Sequence, residues 1–333
     1  MTNETAGLRK IIDRFKGRKV AVWGDFILDE YIYGCTRRIS REAPVLILSY
    51  RSREYLLGGA GNALQNLKAL GAVPIPVGII GRDEAGDALL EILKDQGIRG
   101  SRLFRDQSCA TPIKTRILAG EDNTRKQQIL RIDREAFVPD DARLKAKLAS
   151  ALRKLAPACG AVIISDYSYR SVRENVFKAA LPYFRKAGVP VCLDSRFRLL
   201  GFPGVTIATP NEPEVEAALN RRLGDTPSSL RRAADALLAR LRSKALLITR
   251  GSKGMALFEK GKPVLSIPVH GSTDIVDVTG AGDTVISVFA LSLAAGAAFR
   301  QAALLANVAG GLVVMKKGTA TVTPDELRGA IGL

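Results

Sequence analysis

The sequence is poor in the residues that build metal and redox centres. Its 333 residues hold four cysteines and one histidine. Cys35, Cys109, Cys159 and Cys192 stand far apart with no C-x-x-C pair, a spacing that speaks against zinc and against a disulfide framework. His270, in "HGST", cannot form a histidine-based metal site alone and is expected in a solvated loop rather than a catalytic triad. The longest apolar run, Val285 to Phe299, is shorter than the roughly 20 residues of a membrane span and contains Ser287 and Ser292. The opening MTNETAGLRK lacks the charged-then-apolar build of a secretion signal, so a cytoplasmic location with no membrane contact is expected. Neither a P-loop nor a G-x-G-x-x-G turn is present, and the spacing in "GGAGN" is wrong for the latter. Acidic residues are few, 33 against 50 Lys and Arg, for a net charge of +17. The basic residues are scattered through helix-like stretches without an RNP pattern, zinc finger or basic heptad, which disfavours nucleic acid as a partner. Carboxylates, backbone amides and Lys/Arg are left to do the chemistry.

What is present alternates. "RKVAVWGD" reads as a central strand delivering Asp25 to its end, and "GGAGNALQNLKALGA" as a glycine-led amphipathic helix stopping at Gly71. "VPIPVGIIG" and "DEAGDALLEILKDQGI" follow as strand and helix, and from Asp141 onward helices alternate with "AVIISD", "VPVCLDS", "GVTIATPN" and "ALLITRGSKG". This pattern predicts an α/β fold with a doubly wound, mostly parallel sheet flanked by helices. In such sheets ligands sit beyond the carboxyl ends of the strands, where Asp25, Asp166, Asp194, Asn211 and Arg250 all fall. The β-rich stretches near residues 30–52 and 110–133, the second carrying the polar turn "GEDNTRK", are expected to pair as a small second sheet covering the site.

Four short motifs carry the chemistry: G-G-x-x-N at 58–62, N-x-x-E at 211–214, T-R-G-x-x-G at 249–254 and D-x-T-G-A-G-D at 277–283. Read alone, each has a plain structural role. Asp283 and Asn211 suit helix caps, and the glycines after Arg250 suit a hairpin turn. Small residues at the head of an apolar helix also expose backbone N–H groups at its positive end, where Gly280, Ala281 and Gly282 could cradle an anion beside Asp283. The four motifs, in this order across the whole chain, resemble the ribokinase-like (phosphofructokinase-B) sugar kinases.

That resemblance implies one kinase domain over residues 8–330 with a small β-sheet lid that in many members pairs two subunits, hence a homodimer through the lid. It implies ATP, Mg²⁺ and K⁺ as cofactors, and Asp283 as the general base for the acceptor hydroxyl. Asn211 and Glu214 match the motif that organises Mg²⁺ through water. Thr249, Arg250, Gly251 and Gly254 match positions near the nucleotide, and Asn307, Ala309 and Gly310 a helix flanking the adenine. Asp277 and Thr279 match a monovalent-cation loop. Further, "GDFILDEYIYGCTRRISREAPVLIL", "TPIKTRILA", "QQILRIDRE" and "ISDYSYR" resemble the kinase domain of the bacterial heptose-7-phosphate kinases/ADP-heptose synthases, from about Val20 to about Pro324. The nucleotidyltransferase domain those enzymes carry is expected to be absent. The implied acceptor is O1 of D-glycero-D-manno-heptose 7-phosphate. Asp25 and Asp29 are then expected to bind its hydroxyls, Gly58, Gly59 and Asn62 to close on the ring, and Lys114, Arg116 and Arg131 to meet its phosphate. Where those kinases read Asp-Pro-Lys this chain has Asp194, Ser195 and Arg196, and Arg is not equivalent to Lys at a phosphate. The competing readings are a kinase for another sugar or sugar phosphate, and a non-catalytic member that binds nucleic acid.

Overall fold

Residue alternation in one short strand organises the molecule. The strands run β1 (Lys19–Gly24), β2 (Phe26–Ile39), β3 (Leu46–Gly59), β4 (Val73–Gly81), β5 (Leu103–Asp106), β6 (Ile113–Gly120), β7 (Gln127–Arg134), β8 (Ala161–Asp166), β9 (Val191–Ser195), β10 (Ile207–Ala208), β11 (Ala245–Thr249), β12 (Met255–Glu259) and β13 (Leu265–Ile267). The helices are α1 (Asn3–Asp13), α2 (Ala60–Ala69), α3 (Glu84–Asp95), α4 (Ala142–Leu155), α5 (Glu174–Lys186), α6 (Glu212–Leu219), α7 (Pro227–Leu241), α8 (Ala281–Ala294), α9 (Phe299–Val314) and α10 (Pro324–Ala330). This computed structural model describes residues 3–120, 126–224, 226–271 and 276–331.

Successive side chains of a strand point to opposite faces, so "VAVW" in β1 feeds two cores at once. Val20 and Val22 join the cluster under α2, α8 and α9, while Ala21 and Trp23 join the one under α4, α5 and α7. The sheet order is β13-β12-β11-β10-β9-β8-β1-β4-β5. It is parallel from β5 to β11, with β12 and β13 added antiparallel at one edge. The expected doubly wound sheet is therefore observed. Among the described residues no helix is long and apolar enough to cross a membrane.

A smaller sheet, ordered β3-β2-β6-β7, stands over the strand ends. Its strands occupy the two β-rich stretches singled out in the sequence, although residues 121–125 of the expected turn lie outside the described residues. β2 leaves the main sheet after a single intervening residue, Asp25. The pleat then sends Asp29 and Glu30, both buried, to opposite faces: Asp29 meets Arg116 and Glu30 meets Thr115.

The apolar run from Val285 to Phe299 is not one helix. α8 stops at Ala294, Gly296 takes a left-handed φ of 85°, and Phe299 opens α9. A glycine at that position ends the helix because L side chains strain there.

Candidate active site

The head of α8 is built by Gly280. It is the N-cap residue with φ 77°, and a Cβ there would lie 2.3 Å from Asn62 Nδ2. Asp283 is thus not the cap; it occupies the helix's third position, and its carboxylate looks away from the helix. Asn62 on α2 donates to Asp283 Oδ2 at 2.9 Å, and the Tyr167 hydroxyl donates to Oδ1 at 3.1 Å. Behind Asn62, Asn66 donates to its Oδ1 at 3.3 Å, and Thr284 donates to Asn66 at 2.9 Å. Burial pushes the Asp283 carboxyl up to about 6, with the Asn62 and Tyr167 donors opposing the rise and Asp29 adding to it.

Two cavities meet at this head. The first, of about 290 Å³, is polar and holds Asp283, Asp29, Gly58, Gly59, Asn62, Thr279 and Gly280, with Lys114, Arg116, Arg131 and Arg196 on its walls. Asp29 and Arg116 form an ion pair at 2.9 Å, and Arg131 grips Asp133 with two bonds of 2.7 and 2.6 Å. Lys114 and Arg196 form no ion pair among the described residues. Burial, with Arg196 and Arg131 next to it, pulls the Lys114 ammonium below its ordinary range. Its Nζ lies 5.3 Å from the centre of the Tyr167 ring. Gly58 is required by contact, since a Cβ there would come within 2.7 Å of the Asp29 carboxylate.

The second cavity, of about 220 Å³, is mostly apolar and contains Ala281, Gly282, Thr249, Gly251, Gly254, Asn307 and Gly310. Gly254, at φ 77°, turns the β11–β12 hairpin, and a Cβ there would strike Ile267 O at 2.1 Å. The hairpin role and a place on the cavity wall therefore coexist. Asn307 is buried and donates to Pro268 O at 2.8 Å, while Ala309 is buried in the core. Arg250 turns from the cavity to pair with Glu212 at 2.8 Å.

Three other expected positions have local explanations. Asn211 caps α6 in a reciprocal capping box: its Oδ1 accepts from Glu214 N–H at 2.8 Å, and its own N–H donates to Glu214 at 2.9 Å. Burial still pushes the Glu214 carboxyl up against that bond. Asp194 is raised well above the carboxylate range, by burial first and then by the negative charges of Asp283 and Glu214. Asp277 accepts from Thr279 N–H at 2.9 Å and Gly318 N–H at 3.0 Å, closing the loop before α8.

Asp25 does not line either cavity. Its two oxygens take the N–H groups of Tyr167, Tyr169 and Ser171 at 2.9, 3.0 and 2.9 Å, so the structure gives it backbone partners. Tyr167 is the functional-site residue that sequence reading missed. Its signals were a position one residue past the strand-end Asp166 and its place in the quoted segment "ISDYSYR".

A model of the pfkB family carbohydrate kinases matches residues 18–326. The chain is 40% identical over 312 residues to the bifunctional protein HldE of Geobacter metallireducens, covering 93% of this chain and 62% of that one. It is 38% identical over 316 residues to HldE of Caulobacter vibrioides, covering 94% and 63%. The chain thus spans less than two thirds of the length of these relatives. Among solved structures, Arabidopsis thaliana ribokinase complexed with ribose and ATP superposes with a TM-score of 0.73 at 22% identity, covering 96% of this chain and 99% of that one. Escherichia coli phosphofructokinase-2 in complex with substrates and products gives 0.75 at 18%, covering 94% and 98%.

Proposed function

This chain belongs to the pfkB family of carbohydrate kinases, and on that premise we propose that it transfers the γ-phosphoryl of ATP to O1 of D-glycero-D-manno-heptose 7-phosphate. The observation that carries the reading is the junction of the two cavities at the head of α8, with the Asp283 carboxylate on one side and the small residues Ala281 and Gly282 on the other.

The apolar cavity suits an adenine and the polar one a sugar phosphate. Gly310 leaves room where a Cβ would crowd Val285 and Met255 at 3.2 and 3.3 Å, which favours a flat ring against that wall. Phosphoryl transfer needs alignment and charge neutralisation more than covalent chemistry. The head of α8 at Gly280, Ala281 and Gly282 is the positive end of that helix and would lie against the γ-phosphoryl, although the Ala281 N–H itself donates to Val278 O at 3.2 Å. Asp283, held by two donors, takes the proton from the acceptor hydroxyl. Glu214, facing Asp194, would hold Mg²⁺ through water, and the ion when bound neutralises phosphate charge. Asp277 and Thr279 would hold a monovalent cation, K⁺ by the family pattern.

The acceptor's own phosphate is matched by Lys114 and Arg196, two cations gathered in one cavity without a carboxylate partner. Arg196 takes the place of the lysine that the heptose kinases carry, and its fork can grip a phosphate with two bonds. Asp29 and Asn62 are left to the sugar hydroxyls. We also propose that residues 8–330 act as one kinase domain in the cytoplasm, with the four-stranded sheet as its lid. Ile39, Leu46, Tyr50, Ile129, Leu130 and Ile132 are exposed apolar residues of that sheet, which supports a homodimer paired through it.

The decisive experiment compares ATP turnover with heptose 7-phosphate, the free heptose, ribose and fructose 6-phosphate. Each charge-assisted bond to phosphate contributes about 1.5–3 kcal/mol, so the free heptose should lose on the order of a hundredfold in kcat/KM. Equal turnover of ribose or free heptose removes the phosphate site, and a preference for fructose 6-phosphate keeps that site but rejects the heptose.

A further inference from the structure

The segment from Tyr167 to Ser171, just past β8, has an unusual backbone. Ser168 and Arg170 take φ values of 68° and 71°, a region that favours glycine. Their left-handed turns alternate with the ordinary conformations of Tyr167, Tyr169 and Ser171. Here alternate N–H groups turn to one side, while the Ser168 N–H between them donates to Asp166 Oδ1 at 3.1 Å, and the segment forms a concave nest for an acceptor. The anion that fills it is the protein's own: the buried Asp25 carboxylate accepts all three of those N–H groups. Left-handed non-glycine residues are strained, and the three N–H bonds to Asp25 hold them in place while opposing the rise of its carboxyl to about 7 that burial and Asp166 cause. Trp23 and Arg198 tie the same segment down further, donating to Ser171 O at 3.1 Å and Val172 O at 2.9 Å.

The first residue of this strained segment is Tyr167, which makes a contact that the fold itself does not need. Its hydroxyl reaches 3.1 Å from Asp283 Oδ1 and 3.3 Å from Oδ2. Asn62 already serves Oδ2 from the opposite side. Two donors on a carboxylate restrict its rotation and leave its remaining lone pairs toward the open cavity, where an acceptor hydroxyl would lie.

We propose that Tyr167 is a positioning residue for the catalytic carboxylate, orienting Asp283 and keeping it ionised for proton removal. The proposal rests on the reading of Asp283 as the general base. The groups facing Asp283 are Asn62 on α2, Asp29 on β2, Lys114 on β6, Asp194 at the end of β9 and Tyr167 itself. Asp29 and Asp194 favour its neutral form, Lys114 and the two donors its charged form. Burial raises the Tyr167 hydroxyl well above its ordinary acidity range, with Asp283 and Asp194 adding to the rise, so the phenol stays a donor throughout the working pH range.

The test is the pH profile of kcat for Tyr167→Phe, which keeps the ring and removes only the donor. A base with a pKa of about 6 gives a rate that falls as pH drops through that value. Losing a donor to the charged form raises that pKa, so the acid limb of Tyr167→Phe should move up by about one to two pH units. At pH 6 its kcat should be lower by about five- to fiftyfold, with KM for ATP within about twofold. A profile that superimposes on the wild type overturns the proposal. So does a uniform loss of rate with an unmoved limb, since that is what a merely structural tyrosine would give. Asp283→Asn, measured alongside, separates the two levels. If it retains the rate, the general-base reading and this inference fall together. If it is inactive while Tyr167→Phe keeps the wild-type limb, the inference alone falls.

Discussion

On one side of the α8 head the cavity wall is made of side chains. Asp29, Lys114, Arg116, Arg131 and Arg196 arrive there from β2, β6, β7 and the end of β9, segments spread over much of the chain. On the other side the wall owes its shape to missing side chains: Gly251, Gly254, Gly310 and Gly311 open the space that Thr249 and Asn307 border. A Cβ on Gly311 would meet His270 O at 2.2 Å, so the backbone itself closes that side. On the proposed function the first cavity would select by charge, the second by shape. A selective acceptor site needs partners that can vary from one sugar to another, whereas a nucleotide site needs room for a ring and amides for its phosphates.

The junction between the two is the place to break that comparison first. Asp283→Asn is expected to lower kcat by ~10²–10⁴-fold while nucleotide affinity stays within a few-fold, because general-base catalysis is lost and neither wall is changed. Single-turnover rates and ATP affinity check this; a near wild-type rate would return Asp283 to a purely structural role.

The next effect isolates the charged wall. Lys114→Ala should reduce kcat/KM for the sugar phosphate by at least about tenfold through loss of one charge-assisted contact, and leave the KM for ATP within about twofold. An equal loss against an unphosphorylated sugar would show that Lys114 supports the cavity rather than a phosphate.

The smallest effect belongs to the shaped wall. Gly310→Val would press on Val285 and Met255, which already lie 3.2 and 3.3 Å from an added Cβ. The KM for ATP should rise by about tenfold, equivalent to 1.4 kcal/mol, with the acceptor KM unchanged. If both KM values rise together, the two cavities are not independent.

The shaped wall was legible in the sequence and the charged wall only partly so. T-R-G-x-x-G and D-x-T-G-A-G-D announce themselves because a left-handed turn at Gly254 or Gly280 is a local demand on one residue. Arg250 beside them pairs with Glu212 on another element, a contact that the motif does not announce. In the charged wall, Asp25 and Asp29 are four residues apart on one run and look alike. Only the fold shows that Asp25 is spent on three amides of a distant loop while Asp29 faces the cavity with Arg116. Asn211 and Glu214 suit both a cap and a metal motif; the capping box is formed, and the Glu214 charge still raises the Asp194 carboxyl.

The sequence by itself determined the layering and the turns. Strand and helix periodicities sort apolar residues onto faces, and glycines mark where the backbone must turn or be approached, and both effects act over a few neighbouring residues. Only the tertiary structure decided which polar groups share a space. Asn62 and Asp283 are 221 residues apart and Tyr167 and Asp283 116 apart, yet each pair is in hydrogen-bond contact. Burial raises the Asp283 carboxyl to about 6 only because those segments close over it. A carboxylate's proton affinity is set by the solvent it loses and the donors it gains, and neither is a property of the residues beside it in the chain.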